Sequence, residues 1–456
     1  MQMEQIQAIV ADVLYGLGFE LDGPVQIDVP RDRRFGDFST NAALVLAKRS
    51  GVPPRELAER LAAGLSARPD LDADVSLAGP GFVNFKLRSG GAVRSLRLLL
   101  QRRGDLAASQ AGGGTRLQIE YVSANPTGPL NVVSARAAAY GSTLGRMLQS
   151  AGWDVQQEFY VNDAGRQVDL LGASVRVRFV ERLGGSEPFP EDGYHGDYVR
   201  DLAAAVPEAD GRAWLERPAE EACRAFGQHA VQQVLESQRQ ALQRFGVRFD
   251  RWFRESELHG SGAVRDTLAE LEKRGHIAAE AGALLFRSTA WGDDKDRVVV
   301  RSDHTPTYFL ADAAYHRDKH ERGFRQVIDV WGPDHHGHVT RMQAVARALG
   351  YPEDWLEVVI IQWVKLLEGG QAVKMSKRAG QLVSLVDLMD EVGPDVAKFF
   401  FLMRHQSSHL DFDLDLARRQ SDENPVYYVK YAHARICSVI AKAADAGLRL
   451  GDGAPE

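Results

Sequence analysis

The sequence predicts an α/β protein built on a doubly wound parallel sheet, with a small α+β unit before it and a helical end after it. Leu117, Ile119 and Tyr121 alternate as a strand, Ala135–Ser150 carries a helical pattern through Leu144 and Leu148, and Val155–Tyr160 supplies a second strand. Strand, helix and strand within about 45 residues make a right-handed crossover between parallel strands. Short strands return at Arg297–Val300, Val327–Val330 and Val358–Ile361 between helical stretches, the pattern of an interrupted doubly wound domain.

The flanking elements follow in order. Ile6, Ile9, Val10, Val13 and Leu14 repeat at helical spacing, as do Leu57, Leu61 and Leu65 behind Pro53-Pro54. Leu77-Ala78-Gly79-Pro80-Gly81 turns the chain into a short strand, Phe82–Phe85, and the Ala- and Gly-rich stretch Gly104–Gly114 reads as a linker. The expected boundaries are 1–103 for the first unit, 115–390 for the sheet-bearing domain with an insertion around 184–290, and 391–456 for the helical end. Roughly two to four domains suit a chain of 456 residues.

Bulk composition narrows the setting. The longest apolar runs, such as Val358–Ile361 and Phe399–Met403, are far too short to span a bilayer, and the start is acidic and amphipathic, unlike a secretory signal. Cys223 and Cys437 are the two cysteines, too few for a disulfide framework or a zinc cage, so a reducing, cytoplasmic location without membrane contact is expected. A formal charge of -7 argues weakly against a nucleic-acid partner, but Arg31, Arg33 and Arg34 form a local basic cluster suited to phosphates.

Four runs carry chemistry. Lys374-Met375-Ser376-Lys377-Arg378 follows Gly369-Gly370, and two lysines on such a loop can fold over a triphosphate and neutralise the charge of departing pyrophosphate. A solvated basic loop is the plainer reading. Trp331-Gly332-Pro333-Asp334-His335-His336-Gly337-His338 ends the Val327–Val330 strand, where parallel sheets collect ligands. Glycine there allows close approach of a nucleotide, and aspartate can accept from ribose hydroxyls. A structural turn and a histidine metal site are the rivals; no HExxH or CxxC pattern supports metal. Glu120 to Leu130 leaves the first strand and enters a helix, with Glu120, Ser123 and Asn125 at the strand end and Pro126 and Pro129 stopping it. These side chains suit capping as well as ligand binding. Finally, Tyr308 and Asp312 share a face if Thr307–His316 is helical, and a carboxylate beside an aromatic ring suits a guanidinium. A half-buried Tyr and a surface Asp is the alternative.

These runs occur in the order and spacing of class I arginyl-tRNA synthetases, and the chain resembles that family from about Val25 to Ile440. Lys374-Met375-Ser376-Lys377 resembles its KMSKS signature. Gly36-Asp37-Phe38-Ser39-Thr40-Asn41, Tyr160-Val161-Asn162-Asp163-Ala164-Gly165-Arg166-Gln167, Gly193–Tyr198, Phe249–Phe253, Asp293–Arg297 and Asn424–Val429 match as well.

The resemblance implies a Rossmann-like catalytic domain that joins L-arginine to tRNA(Arg), with ATP and Mg2+ as cofactors and a monomer as the working state. It implies an arginine pocket of Glu120, Ser123, Asn125, Tyr308, Asp312 and His336. Asp312 would face the guanidinium, Asn125 and His336 would sit near the backbone groups, and Glu255 is a further guanidinium candidate. Gly332, Asp334, His335, Val133 and Met375 look like the ATP site, and Lys374 and Lys377 like its phosphate clamps. The N-terminal unit looks like the family's added domain, which meets the outer corner of tRNA.

Two departures stand out. The family's HIGH signature is replaced by Asn131-Val132-Val133-Ser134, which keeps an amide and a hydroxyl as donors but puts a branched side chain where adenine would rest. From Asn424 the chain resembles one helix of an anticodon-binding bundle, so Tyr427, Tyr428, Val429 and Tyr431 are expected to form an exposed apolar patch. Two other functions fit these departures: a catalytically weakened RNA-binding paralogue, and an adenylate-forming enzyme with a non-tRNA acceptor.

Overall fold

The computed structural model describes residues 3–88, 108–373 and 383–448. The chain divides into two compact units, residues 1–107 together with 441–456, and residues 108–440.

The first unit runs α1 (Met3–Gly16), β1 (Phe38–Thr40), α2 (Ala42–Ser50), α3 (Pro54–Ser66), β2 (Ala73–Ala78) and β3 (Phe82–Leu87). Ile6, Ile9, Val10 and Leu14 of α1 and Leu57, Leu61 and Leu65 of α3 are buried. Pro54 at the start of α3 presets the helical φ where no backbone donor is needed. The strands form an antiparallel sheet of order β1-β3-β2.

The second unit begins with β4 (Arg116–Tyr121), α4 (Val132–Ser150) and β5 (Asp154–Val161). The helices α5 (Arg166–Arg182), α6 (Asp197–Ala205), α7 (Glu208–Leu215) and α8 (Ala219–Arg244) follow before β6 (Arg251–Arg254). Next come α9 (Glu255–Ser261), α10 (Ala263–Lys273), β7 (Ile277–Glu280), β8 (Ala283–Phe286), β9 (Arg297–Val300), α11 (Tyr308–Glu321), β10 (Gln326–Trp331), α12 (His336–Ala348) and β11 (Leu356–Ile360). The unit continues through β12 (Val364–Glu368), β13 (Gln371–Ala372), α13 (Leu385–Val392), α14 (Pro394–Leu402), β14 (Leu410–Asp413), α15 (Leu414–Arg418) and α16 (Pro425–Asp445).

Five strands make the central sheet, in the order β11-β10-β4-β5-β6 and parallel throughout. Helix α4 lies directly on β4 because Gly141 faces Tyr121; a Cβ there would fall 2.2 Å from the ring. Arg136 of the same helix is buried and donates to the carbonyls of Gln362, Ser408 and His405 at 2.8, 2.9 and 3.0 Å. That guanidinium ties the first crossover to the segments flanking β12 and β14.

Three expectations are revised. Arg297–Val300 is a strand, but it belongs to the antiparallel sheet β7-β8-β9, since its connection to β8 is too short for a parallel crossover. The stretch read as one insertion at 184–290 is interrupted by β6, which pairs parallel with β5, so α5–α8 form an insertion of their own. Residues 391–440 are not separate from the sheet-bearing unit: β14 pairs with β12, and Phe400, Phe401, Phe412 and Leu414 share one core with α4. Helix α16 does expose Tyr428, Val429, Tyr431, Ile436 and Val439.

Candidate active site

At the end of β4 the backbone turns sharply. Val122 and Ser123 have φ of 71° and 38°, and Ser123 N donates to Tyr121 O at 3.0 Å. Left-handed backbone at a β-branched residue is costly and marks sites the surrounding structure holds firmly. Ser123 Oγ donates to Glu120 Oε1 at 2.8 Å and accepts from Tyr160 N at 3.1 Å, joining the ends of β4 and β5.

Beneath this turn lies a buried chain of charges. Lys319 Nζ sits 2.7 Å from both Glu120 Oε2 and Asp329 Oδ1, His316 Nε2 lies 2.8 Å from Asp329 Oδ2, and His316 Nδ1 lies 2.8 Å from the Asp312 carbonyl. Burial pushes the Glu120 carboxyl up despite Lys319 beside it. Burial acts on Asp329 in the same sense, but Lys319 and His316 outweigh it and hold that carboxyl at about 2. Burial alone would depress the Lys319 ammonium; Asp329 and Glu120 keep it above its ordinary value. The chain locks α11 across β4 and β10.

Above it opens a cavity of about 380 Å³. Glu120, Ser123, Asn125, Tyr308 and Asp312 all line it, together with Tyr160, Asn162, Gln167, Glu255, Trp331, Gly332, His335 and His338. Tyr308 and Asp312 are one turn apart on α11, and Tyr308 is 57% exposed, leaving its ring free for a ligand. His338 Nε2 donates to Asp312 Oδ2 at 3.0 Å. Glu255 opens α9; burial, with the Asp312 charge adding to it, raises its carboxyl above the ordinary range. Burial likewise drives the Tyr160 hydroxyl far up, with Glu255 and Asp312 reinforcing it. Because Lys319 already offsets Glu120, Asp312 and Glu255 give the cavity a negative character, and among the described residues no lysine or arginine lines it. Such a site takes a cation.

The sheet's carboxyl edge supplies the other wall. After Trp331, residues Pro333–His335 make one 3-10 turn and His336 begins α12. Gly332 and His335 face the cavity, whereas Asp334 and His336 are exposed and absent from its lining. His338 lines the cavity beside His335, because positions 335 and 338, three apart on a helical turn, share a face that 336 does not. That spacing was visible in the sequence.

Asn131 caps α4: its Oδ1 accepts from Val133 N and Ser134 N at 3.0 and 2.9 Å, which leaves its amide nitrogen as a donor. Asn131 bridges to Ser384, and Leu385 N donates to Leu130 O at 2.7 Å, so this helix start adjoins the segment that follows residue 382. Asn131, Val133 and Ser134 do not line the cavity. Lys374, Met375 and Lys377 lie outside the described residues. Among the described residues no cluster of three or more His, Cys, Asp or Glu is disposed to hold a metal ion. Glu158 with Arg322 and Tyr315, and Gln238 with the Asn125 turn, are further polar clusters that sequence reading missed, since each joins elements far apart in the chain.

Comparison with known proteins shows the family. Residues 95–399 match the model of class I (R) tRNA synthetase catalytic domains, and residues 4–87 match the arginyl tRNA synthetase N-terminal domain. An arginine–tRNA ligase of Heliobacterium modesticaldum is 46% identical over 94% of this chain and 76% of its own length. One of Bacillus licheniformis is 43% identical over 95% and 78%. A crystal structure titled a putative arginyl tRNA synthetase from Campylobacter jejuni superposes with a TM-score of 0.72 at 36% identity, covering 79% of this chain and 78% of that one. The Thermus thermophilus arginyl-tRNA synthetase shares the fold, with a TM-score of 0.74 over 97% and 82% of the two chains at 22% identity.

Proposed function

Because this chain belongs to the arginyl-tRNA synthetase family of class I synthetases, we propose that its cavity seats arginine with the guanidinium between Asp312, Glu255 and the Tyr308 ring. The function is arginine–tRNA ligation: ATP-dependent joining of arginine to tRNA. The observation that carries the site assignment is the convergence of Asp312 and Glu255 on one cavity with no opposing lysine or arginine among the described residues, beside the Gly332–His335 turn. A guanidinium satisfies both acids through planar, charge-assisted hydrogen bonds, and an exposed tyrosine ring suits its flat face.

Asn125 and Ser123 then lie toward the amino-acid backbone groups, and Gly332 and His335 toward the nucleotide. Asp334, Val133 and Met375 belong to the outer part of the ATP site. The arginine carboxylate attacks the α-phosphate of ATP, pyrophosphate leaves, and the terminal adenosine 2′-hydroxyl of tRNA(Arg) takes the arginyl group from adenylate. No protein nucleophile is required; positioning and charge stabilisation suffice. Lys374 and Lys377 neutralise the leaving pyrophosphate, and the Asn131 amide and Ser134 hydroxyl stand in for the two histidines of the HIGH signature. Mg2+ arrives with the triphosphate. The N-terminal unit, with Arg31, Arg33 and Arg34, meets the tRNA's outer corner, and the protein works as a cytoplasmic monomer. Among the described residues no helix is long and apolar enough to cross a membrane.

Pyrophosphate exchange with arginine and ATP, with and without tRNA, tests this. tRNA-stimulated exchange is expected, and Lys377→Ala should lower it by about 100-fold or more. Absence of exchange would point to the RNA-binding paralogue, and tRNA-independent exchange to a non-tRNA acceptor.

A further inference from the structure

The helices inserted between β5 and β6 reach back to the turn that carries Asn125. Gln238 of α8, 1% exposed, donates through Nε2 to the carbonyls of Asn125 at 3.2 Å and Gly128 at 2.9 Å. The Tyr198 hydroxyl of α6 donates to the Thr127 carbonyl at 2.8 Å, and a Cβ on Gly128 would lie 3.3 Å from that hydroxyl. Three carbonyls of one turn are thus taken by two side chains that lie 71 and about 110 residues away along the chain.

The amide of Gln238 has a single workable orientation. Both neighbours are carbonyls, so only its NH2 end can face them. Its Oε1 is buried without a hydrogen-bond partner. A buried, unmatched oxygen destabilises the fold, and an apolar side chain of similar volume would avoid that penalty. What glutamine supplies here that an apolar side chain would not is its donor. The turn it grips runs from Asn125, which faces the cavity, to Leu130, which precedes the α4 cap at Asn131. Helices α5 and α8 form a firm base for this grip, since Gly172 meets α8 so closely that a Cβ would fall 1.9 Å from the Cys223 carbonyl.

We propose that Gln238 and Tyr198 are positioning residues through which the inserted helices hold the 125–128 turn, and with it the Asn125 side chain, in arginine-binding geometry. The proposal rests on the arginine-site reading above. Gln238→Leu and Tyr198→Phe remove the donors while keeping most of the volume.

The test is steady-state aminoacylation with arginine and ATP varied in turn, alongside equilibrium dialysis of arginine and thermal melting. Each variant should raise KM for arginine about tenfold, with KM for ATP within about twofold of wild type. Gln238→Glu carries a donor only while its carboxyl is protonated, so its KM for arginine should climb with pH relative to wild type. An unchanged KM for arginine, or a loss confined to kcat that tracks the melting temperature, would overturn the proposal. If Gln238→Leu does not fold, Tyr198→Phe decides by the same readout. Failure of the wild-type protein to bind arginine at all would instead overturn the site reading, and the clamp with it.

Discussion

Asp312 on α11 and His338 on α12 are joined by a 3.0 Å hydrogen bond, so the acid assigned to the guanidinium is steadied by the helix that begins at the nucleotide turn. One contact thereby links the two halves of the cavity, and the Asp312 carbonyl is held from below by His316. The carboxylate is set in place by protein before substrate arrives, which lowers the ordering cost of binding.

Replacing Asp312 by asparagine keeps the shape and removes the charge. A charge-assisted hydrogen bond contributes about 1.5–3 kcal/mol, so KM for arginine should rise roughly 10- to 150-fold while the melting temperature stays near wild type. Steady-state aminoacylation at saturating ATP measures it. A KM within the error of wild type would remove Asp312 from guanidinium recognition.

With Glu255 facing the guanidinium as proposed, arginine binding should depend on pH. The Glu255 carboxyl is raised above 4.5, first by burial and then by the Asp312 charge. In the free protein it therefore holds a proton in a window above 4.5, and the arriving cation must displace it. Affinity for arginine should strengthen as pH rises through that window and level off beyond it. Folded-state stability from this group has the opposite trend: it is fully present below the ordinary value and lost as pH rises through the raised one. Arginine dialysis and melting curves taken upward in pH from the ordinary carboxylate range should show both slopes, and Glu255→Gln should flatten both. Parallel slopes in wild type and variant would assign the titration elsewhere.

Lys319 is the counter-charge for Glu120 and Asp329, and all three are buried. Lys319→Met leaves Glu120 without its counter-charge and Asp329 with His316 alone, and breaking a buried pair in this way costs about 3–5 kcal/mol. Adding Asp329→Asn should recover part of the loss, because fewer unmatched charges remain. Chemical denaturation midpoints report both effects. A single variant as stable as wild type would show that the acids simply take up protons.

Asn131 is a helix cap and, in the proposed reading, also a donor toward ATP. Asn131→Asp keeps the acceptor that caps Val133 and Ser134 and adds favourable charge at a helix N-terminus, so stability should hold or rise. It also exchanges the free amide donor for a negative charge, so KM for ATP in pyrophosphate exchange should rise about tenfold or more. Asn131→Ala should lose about 1 kcal/mol of stability through the cap. If Asn131→Asp exchanges pyrophosphate as well as wild type, the amide is only a cap.

The sequence was most legible where the signal is local. The Leu117–Tyr121 strand, the helix behind it and the shared face of Tyr308 and Asp312 follow from spacing alone, and each is present. His338 lines the cavity and His336 does not, a difference that helical spacing from His335 accounts for. Periodicity marks Arg297–Val300 as a strand but does not name its partner, and the strand pairs with β8 outside the central sheet.

What the chain's text fixed by itself is the order of its chemical runs and the local shape each adopts, since dihedral preferences and residue spacing act within a few positions. Which charges meet was settled only by tertiary structure. Lys319 finds Glu120 from 199 positions away, and Gln238 finds the Gly128 carbonyl from 110. Pairings across such separations depend on how helices cross a sheet and on which polar groups are left dry by packing, and neither is written in any short window of residues.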